Sequence, residues 1–580
     1  MKKILLTSLF IIPCTVFIIQ HSYGQAPKWL WAKAIGGYWG SDAGQSMTVD
    51  ASGNVYTSGH FEGGTVDFDP GAGIFNLTND GNAFIFISKL DPSGNFVWAK
   101  AIGGFWSYSI ALDASNNIYI TGVFNHTADF DPGAGTYNLT SAGWDDIFIS
   151  KLDSLGNFVW AKRIGGANYD RGSSIAVDPA SGDVYITGTF QGTLDFDPGP
   201  GTYNLATGGV FISKLDAFGN FVWAKRIGGG SFYDRGQSIA LDVFSNVYTA
   251  GTFYQGTADF DPGPGVFNLT SVGISSTFIS KLNSSGNFVW AKQFEGASLN
   301  CLGIDHASGD IYTTGGFNGM VDFDPGVGVF NLTAIRDGSF ISKLNSSGNF
   351  VWAKAIDGIS YSLAITVDPA SRNVYTTGSF GGTVDFDPGP GIFNLFSDWF
   401  RCGDNIFISR LDKSGNFIWA KSLGGKLGAT SCDDILSIAP DASGNLYVTG
   451  SFFSSFISFG ATILTNTDNG GINADIFIAK LDKTIVTGTP GNNNCFQEIN
   501  IFPNPTSNST TISCSLSQSA RVSIQVFDAT GRLISILADD QFQQGNNKIV
   551  WNVARVSAGI YFLRFITANC SVNEKLIVVK

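Results

Sequence analysis

The sequence predicts an all-β protein: a seven-bladed β-propeller with four-stranded blades, closed by the N-terminal strand, followed by a small C-terminal β-sandwich domain. Two observations predict the propeller. The chain has 49 Phe, 13 Trp and 72 Gly but only 14% charged residues, which is typical of strands joined by tight turns. A Trp-Ala-Lys motif also recurs, in steps of 62 to 67 residues, at Trp31, Trp98, Trp160, Trp223, Trp290, Trp352 and Trp419. A nearly fixed period indicates one supersecondary unit stacked on copies of itself.

Each repeat predicts four strands. In the repeat that contains Trp223, β-branched and aromatic runs at 174–178, 184–190, 211–215 and 221–225 are separated by clusters of Gly, Asp, Asn and Pro. The turns after the first and third strands are short, as in antiparallel pairs. A β-solenoid is the competing repeat fold, but its units are usually much shorter.

The repeat region begins and ends with an incomplete unit. The region begins with a lone fourth strand, 29–35, and its seventh unit ends after a third strand, 476–481. We therefore expect strand 29–35 to complete the blade formed by residues 436–481 and to close the ring.

Charge and hydropathy exclude some functions. The net charge of −13 and the absence of a Lys/Arg cluster argue against nucleic acid as a partner. Residues 1–24, with Lys2 and Lys3 before an apolar run, predict a signal peptide whose run is too short to span a membrane. No later segment has the apolar length of a transmembrane helix, so we expect none after cleavage.

Six cysteines follow the signal peptide, too few for a scaffold built on disulfides. Cys402 and Cys432 fall in connections at the same end of the predicted ring, so we expect them to form a disulfide. A second expected pair is Cys514 with Cys570, which leaves Cys301 and Cys495 free or joined to each other.

The repeat resembles a known family. Units of the form Ile-Ala-Val-Asp, then Ser-Gly-Asn-Val-Tyr-Thr-Gly, then Phe-Ile-Ser-Lys-Leu-Asp and Gly-Asn-Phe-Val-Trp are similar to the bacterial SBBP-type β-propeller repeats over 29–482. The resemblance implies a secreted propeller, usually with no assigned activity. The chain departs from the family unit by a longer connection between the second and third strands.

A second domain follows the repeats. The propeller is assigned to 25–483, and residues 484–496 are turn-prone and predict a linker. Residues 497–580 carry Phe-Pro-Asn-Pro-Thr at 502–506, a Phe-Asp-Ala-Thr-Gly-Arg run at 527–532, and Ala-Gly-Ile-Tyr at 558–561. Together they resemble the type A C-terminal sorting domain of the type IX secretion system. The resemblance implies an export signal read by the secretion machinery, and hence a secreted or outer-surface location; an ordinary Ig-like sandwich is the alternative.

Six of the seven repeats carry Asp-Phe-Asp-Pro-Gly in the long connection. Its two carboxylates project from one side of an extended chain, a geometry that would suit calcium. The candidate ligands are Asp67, Asp69, Asp129, Asp131, Asp195, Asp197, Asp259, Asp261, Asp322, Asp324, Asp385 and Asp387. The alternative is a structural turn, with Asp accepting amide hydrogen bonds, Pro fixing φ and Gly supplying a positive φ. No other cofactor is expected.

Propeller topology places the connections from second to third strand and from blade to blade at one end of the ring, which we call the loop face. Aromatic residues outside the repeat pattern make this face the candidate binding site. The candidate ligand-binding residues are Tyr38, Trp39, Trp106, Trp144, Tyr169, Tyr233 and Trp399. Packing between blades is the alternative, and Asp170–Arg171 and Asp234–Arg235 are expected to be surface ion pairs.

No catalytic constellation is present. The three His after the signal peptide lie in different repeats, and the sequence has no nucleophile elbow, zinc-binding helix motif or phosphate loop. The favoured function is a secreted or surface scaffold that binds a glycan or a protein. The alternatives are a polysaccharide lyase or glycosidase with its site at the central channel, and a structural exoprotein stabilised by calcium. Inward-facing carboxylates, His or Arg in only one or two blades would favour the enzyme.

Overall fold

The structure is a computed structural model. It describes residues 27–79, 84–231, 233–358, 360–397, 405–424, 433–468, 473–483, 496–516, 518–528, 532–567 and 571–580. It divides into two compact units, Met1–Val486 and Thr487–Lys580. The expected signal peptide and most of the linker lie outside the described residues. Among the residues that are described, no helix has the length and apolar character needed to cross a membrane.

The first unit is a succession of strands that opens with β1 (Trp29–Ile35). The first repeat has β2 (Ala43–Val49), β3 (Val55–Phe61), β4 (Thr65–Asp67), β5 (Asn76–Thr78), β6 (Phe84–Leu90) and β7 (Phe96–Ile102). The second has β8 (Trp106–Leu112), β9 (Ile118–Phe124), β10 (Thr127–Asp129), β11 (Asn138–Thr140), β12 (Asp146–Leu152) and β13 (Phe158–Ile164). The third has β14 (Arg171–Val177), β15 (Val184–Phe190), β16 (Leu194–Asp195), β17 (Asn204–Leu205), β18 (Gly209–Leu215) and β19 (Phe221–Ile227).

The remaining repeats follow the same plan, and in the fourth and fifth the small hairpin is continuous with the main strands. The fourth has β20 (Arg235–Leu241), β21 (Val247–Asp259), β22 (Asn268–Leu282) and β23 (Phe288–Glu295), and the fifth β24 (Ala297–Asp305), β25 (Asp310–Asp322), β26 (Asn331–Leu344) and β27 (Phe350–Ile356). The sixth has β28 (Ser360–Val367), β29 (Val374–Phe380), β30 (Thr383–Asp385), β31 (Asn394–Phe396), β32 (Asn405–Leu411) and β33 (Phe417–Leu423). The seventh has β34 (Asp434–Pro440), β35 (Leu446–Phe452), β36 (Phe456–Phe459), β37 (Thr462–Thr465) and β38 (Asp475–Leu481).

These strands form seven four-stranded antiparallel sheets, consistent with propeller blades, which we call blades 1 to 7. Blades 1 to 6 each use four strands of one repeat in chain order. Their strand orders are β2-β3-β6-β7, β8-β9-β12-β13, β14-β15-β18-β19, β20-β21-β22-β23, β24-β25-β26-β27 and β28-β29-β32-β33. Blade 7 has the order β34-β35-β38-β1 and so joins the two ends of the repeat region.

The expected closure by the N-terminal strand is confirmed. Strand β1 pairs antiparallel with β38, with Ala32 opposite Ala479 and Ile35 opposite Ile476. The first strands of the blades contact one another in the cyclic order β2, β8, β14, β20, β24, β28, β34 and back to β2. Because their contacts form a closed cycle, these strands surround a common axis.

The hydrophobic core lies between neighbouring blades. Each cluster of buried side chains in this unit draws on two adjacent blades; for example, Ile85 of blade 1 packs with Ile110 and Phe148 of blade 2. The cluster at the closure joins Ile35 and Ile476 of blade 7 to residues of blade 1. A blade therefore depends on both neighbours for its stability.

The repeated Trp is a contact between blades. The indole Nε1 of Trp31 donates to the carbonyl oxygen of Pro92, at 3.1 Å, in the third turn of the next blade. Trp160 bonds in the same way to Ala217, at 3.2 Å, and Trp352 to Lys413, at 3.2 Å. The Trp-Ala-Lys motif thus marks the outer strand of each blade, which packs on the following blade.

The long connection after the second strand forms a hairpin that packs between blades. The Phe of Asp-Phe-Asp-Pro-Gly is buried in all six copies, namely Phe68, Phe130, Phe196, Phe260, Phe323 and Phe386. Phe130 lies in the cluster that joins blades 1 and 2, and Tyr137, directly before the return strand β11, packs on Phe158 of β13, with ring centroids 4.8 Å apart. This differs from the sequence expectation, which placed the whole connection on the loop face.

The second unit has two sheets. Its strands are β39 (Phe496–Phe502), β40 (Ser509–Leu516), β41 (Ala520–Asp528), β42 (Leu533–Phe542), β43 (Gly545–Asn552), β44 (Gly559–Ile566) and β45 (Ser571–Val578). The sheets have the orders β39-β40-β43 and β42-β41-β44-β45. Ile512 and Trp551 from the first and Ile524, Leu563 and Leu576 from the second belong to one buried cluster.

The cysteine expectations have mixed outcomes. Cys402 and Cys432 both lie outside the described residues, as do Cys495 and Cys570, so the expected Cys402–Cys432 pair stays a prediction. Cys301 and Cys514 are free thiols. The expected pair of Cys514 with Cys570 is therefore wrong: Cys514 packs in the apolar core of the second unit, where burial raises the pKa of its thiol to about 11.

Candidate ligand-binding site

The first strand of every blade carries a β-bulge at the same position. The bulged residues are Gln45, Tyr108, Ser173, Gln237, Asn300, Leu363 and Leu436. Each is partly exposed although the strand around it is largely buried. A bulge re-aims one side chain out of the regular alternation. Since the first strands surround the axis, we interpret these seven residues as a ring that lines the central channel.

A glycine in the second strand makes each bulge possible. The seven glycines are Gly59, Gly122, Gly188, Gly251, Gly315, Gly378 and Gly450. A Cβ atom on Gly188 would lie 1.9 Å from the carbonyl oxygen of Arg171, and one on Gly251 would lie 1.8 Å from that of Arg235. Only glycine lets the two backbones approach this closely.

The residue two positions before each bulge differs from blade to blade. In order these residues are Ala43, Trp106, Arg171, Arg235, Ser298, Tyr361 and Asp434. They lie where the first strand meets the loop face, so we call them the channel mouth. Blades 2, 3 and 4 contribute Trp106, Arg171 and Arg235, which makes this sector of the mouth aromatic and cationic.

Arg171 lies over the ring of Tyr108. The guanidinium carbon of Arg171 is 4.9 Å from the centre of the Tyr108 ring, a cation–π contact. Burial raises the pKa of Tyr108, and the positive charges of both arginines act in the opposite direction. Within the part of the chain that the structure describes, neither arginine forms a salt bridge.

The expected ion pairs Asp170–Arg171 and Asp234–Arg235 are therefore wrong. Asp170 and Asp234 are buried and serve as acceptors for backbone amides. The Asp170 carboxylate accepts from Gly166 N at 2.8 Å and from Gln191 N at 3.0 Å, and so ties the connection between blades 2 and 3 to blade 3. Burial raises the pKa of Asp170 to about 6. The arginine that follows each aspartate is exposed.

An exposed aromatic pair lies next to this sector. Trp144 and Tyr169 stack with ring centroids 5.4 Å apart and an interplanar angle of 18°. Their side chains are 63% and 47% exposed. The backbone holds them together, because Asp170 N donates to Asp145 O at 2.8 Å. Tyr169 lies two residues before Arg171, which places the pair beside this sector of the channel mouth.

The other predicted ligand-binding residues lie apart from this pair. Tyr38 and Trp39 form their own exposed edge-to-face pair, with centroids 5.0 Å apart, before blade 1. Trp106 packs on buried His60 at 4.1 Å and is only partly exposed. Tyr233 contacts Tyr254 at 5.6 Å. Trp399 lies outside the described residues.

The paired aspartates make the hydrogen bonds of a turn. In the second repeat, Oδ1 of Asp129 accepts from Asp131 N at 3.0 Å and Tyr137 N at 2.8 Å, and Oδ1 of Asp131 accepts from Gly133 N at 2.8 Å. The same bonds recur in the other five copies. In the seventh repeat, β36 and β37 form a hairpin without these aspartates. Among the described residues, no three His, Cys, Asp or Glu side chains are grouped as a metal site would require.

We expect the aspartates to act through these hydrogen bonds rather than through calcium. Asp129→Ala leaves two amides without an acceptor and should cost about 1–2 kcal/mol of unfolding free energy. Asp129→Asn keeps one oxygen and should cost much less. Thermal unfolding of both variants and of the unaltered protein, in calcium and in excess EDTA, checks this. A higher midpoint in calcium that the Asn variant abolishes would contradict it and favour bound ions.

Sequence reasoning missed the bulge ring and the channel mouth. The signal was present in the repeats, because alignment of the seven units on Trp-Ala-Lys shows that the residues at these two positions change from unit to unit. The sequence expectation included Trp106 as a ligand-binding residue but treated Arg171 and Arg235 as members of surface ion pairs.

Comparison with known proteins supports the class that the fold defines. Residues 159–189 match the β-propeller repeat of the SBBP family, so the chain is a β-propeller repeat protein. Residues 500–579 match the secretion system C-terminal sorting domain. The chain thus contains an SBBP-type β-propeller repeat and a C-terminal sorting domain of type IX secretion, and that domain indicates a secreted or cell-surface location.

Relatives over larger parts of the chain are distant. An uncharacterized WD repeat-containing protein, L264 of Acanthamoeba polyphaga mimivirus, is 25% identical over 74% of this chain, and the match spans 36% of that protein's length. Among solved structures, PorZ, a surface component of the type IX secretion system of Porphyromonas gingivalis, has 10% identity and a TM-score of 0.14, covering 95% of this chain and 100% of PorZ. The PQQ domain of pyranose dehydrogenase from Coprinopsis cinerea has 10% identity and a TM-score of 0.30, covering 79% and 98%.

Proposed function

We propose that this chain is a secreted or surface-held scaffold that binds a glycan on the loop face of blades 2 to 4. The scaffold is a seven-bladed propeller closed by β1, and a C-terminal β-sandwich engages the type IX secretion machinery. The mature protein binds its ligand without changing it. A rigid ring that presents variable loops is well suited to such a role.

One observation carries the choice of glycan. Trp144 and Tyr169 are large, exposed and stacked nearly parallel to each other. Aromatic faces of this kind offer the C–H surface of a sugar ring a flat apolar platform. A protein partner, the other candidate of the same class, would usually be met by a larger apolar patch with a buried centre.

The same mouth supports binding better than catalysis. Arginine occurs at the mouth in blades 3 and 4 only, a pattern that would favour the enzyme, but the described mouth residues do not supply the acid and base groups that catalysis also needs. A glycosidase generally requires two carboxylic groups flanking the scissile bond, whereas the mouth residues of the described blades include one carboxylate, Asp434, in blade 7. A lyase requires a base that loses its proton readily, and burial raises the pKa of Tyr108. Calcium is not needed to hold turns whose aspartates already accept hydrogen bonds from backbone amides.

We expect Trp144→Ala to weaken glycan binding about tenfold, since a stacking contact contributes about 0.5–1.5 kcal/mol beyond the area it buries. Tyr169→Ala should act in the same direction. A glycan array screened with the full chain identifies the ligand, and calorimetry then measures both variants against it. Phe218→Ala is the matched control, because Phe218 is 77% exposed in a short turn of blade 3, at the opposite end of the ring. An array without any bound glycan, or equal losses in all three variants, would overturn the proposal.

A further inference from the structure

Resting on the proposed glycan-binding function, we infer that the ligand is acidic and that Arg171 and Arg235 bind its carboxylate or sulfate groups. The two arginines occupy the same position, at the start of the first strands of blades 3 and 4. They form a cationic pair at the channel mouth beside the Trp144–Tyr169 pair.

The backbone fixes the spacing of the two arginines. Arg171 pairs with Thr189 across the first two strands of blade 3. The hydroxyl of Thr189 donates to the carbonyl oxygen of Asp234 at 3.0 Å, directly before Arg235. Strand β14 also contacts β20, so the two arginines start from neighbouring first strands.

Their lack of a bonded partner among the described residues distinguishes Arg171 and Arg235 from other arginines of the first unit. Arg163 is bonded to Asp146 at 2.7 Å, Arg372 to Asp305 at 3.2 Å, and Arg226 to the carbonyl oxygen of Gly208 at 2.6 Å. In the described part of the chain, neither Arg171 nor Arg235 has a carboxylate or carbonyl partner. In a protein of net charge −13, two such arginines on one exposed sector point to an anionic ligand.

The neighbouring bulged residues suit a saccharide. Tyr108 stacks on Arg171 and restricts the plane of its guanidinium. Gln237 accepts from the Thr252 hydroxyl through Oε1 at 3.2 Å, so its amide N–H groups are not used in that bond. The bulged side chains are polar or phenolic in blades 1 to 5 and are leucines in blades 6 and 7. A ligand with hydroxyl and anionic groups would therefore lie on the side of blades 2 to 4.

The test compares matched acidic and neutral polymers. Polygalacturonate with its fully methyl-esterified form, and dextran sulfate with dextran, separate carboxylate from sulfate recognition. The full chain should bind one acidic polymer more tightly than its neutral match, and the affinity should fall as salt is raised. Arg171→Gln combined with Arg235→Gln should lower that affinity more than about tenfold, because hydrogen bonds to charged groups are stronger than neutral ones.

A control with the same change in net charge is Arg372→Gln combined with Lys413→Gln, two residues in short turns of blade 6 at the opposite end of the ring, and it should leave the affinity unchanged within about twofold. Cooperative thermal unfolding of every variant shows that it folds, and the control is expected to melt slightly lower because it loses the Arg372–Asp305 ion pair. Equal binding of acidic and neutral polymers, or equal losses in the two double variants, would overturn the acidic specificity while glycan binding stands. Failure of every polymer and of the glycan array would remove the proposed function itself.

Discussion

Deletion of residues 25–36 is expected to abolish the cooperative unfolding of the propeller or to lower its midpoint by about 5–10 °C. The deletion removes β1, whose Ala32 and Ile35 are buried and whose Trp29 and Trp31 are partly buried. Burial of one large side chain contributes about 1.5–3 kcal/mol, so the loss is of the order of 5–10 kcal/mol. That is comparable to the whole stability of a typical domain.

The loss of stability is not confined to blade 7. Without β1, Ile476 and Ile478 of β38 lose the strand that covers them, and the cluster that joins blade 7 to blade 1 loses Ile35. Since each blade is buried against both neighbours, an opening at this joint exposes apolar surface on two blades at once. Circular dichroism on heating measures the effect.

Two point variants in the same strand provide the control. Ile35→Ala removes a side chain that is 2% exposed and should cost about 2–4 kcal/mol, whereas Leu30→Ala removes one that is 51% exposed and should cost little. A synthetic peptide of residues 25–36 is expected to restore part of the stability of the truncated protein. A truncated protein that melts like the intact one would show that β1 does not hold the ring.

The repeat made most of the fold predictable. The expected strand 184–190 coincides with β15, and the expected 221–225 lies within β19. Because the pattern occurs seven times, each strand assignment is supported by the other copies. The repeat region begins with an unpartnered fourth strand and ends without one, so the natural place for β1 was the last blade. The physical reason is that a repeat unit has to bury the same faces in every copy.

The site was predicted less well, because it depends on departures from the repeat. Residues 170 and 171 are neighbours in the sequence and looked like an ion pair, but successive side chains at a strand start point to opposite sides. The Asp170 carboxylate therefore accepts hydrogen bonds from backbone amides, whereas the Arg171 side chain is exposed at the channel mouth. The bulge involves one residue per blade, and a single extra residue does not disturb the alternation of apolar residues enough to be seen in one sequence.

Gly315→Ala is expected to destabilise the protein by about 3 kcal/mol, because the added methyl group has no room. Its Cβ would lie 2.0 Å from the carbonyl oxygen of Ser298 and 2.9 Å from Cα of Leu299. Both atoms belong to the backbone of β24, so a rotamer change cannot relieve the overlap. The strand itself has to move at the point where Asn300 forms the bulge.

Gly316, the next residue, provides the control, because the same Gly→Ala change is made in the same strand. A Cβ on Gly316 would find its nearest neighbour, the carbonyl oxygen of Gly338, at 3.9 Å, which is ordinary contact. Gly316→Ala should therefore be neutral, or stabilising by a few tenths of a kcal/mol through the unfolded state. Thermal and urea unfolding of the two variants should separate them clearly. If both alanines were tolerated equally, the bulge would not require glycine, and the channel mouth would owe its arrangement to the loops rather than to the paired strands beneath it.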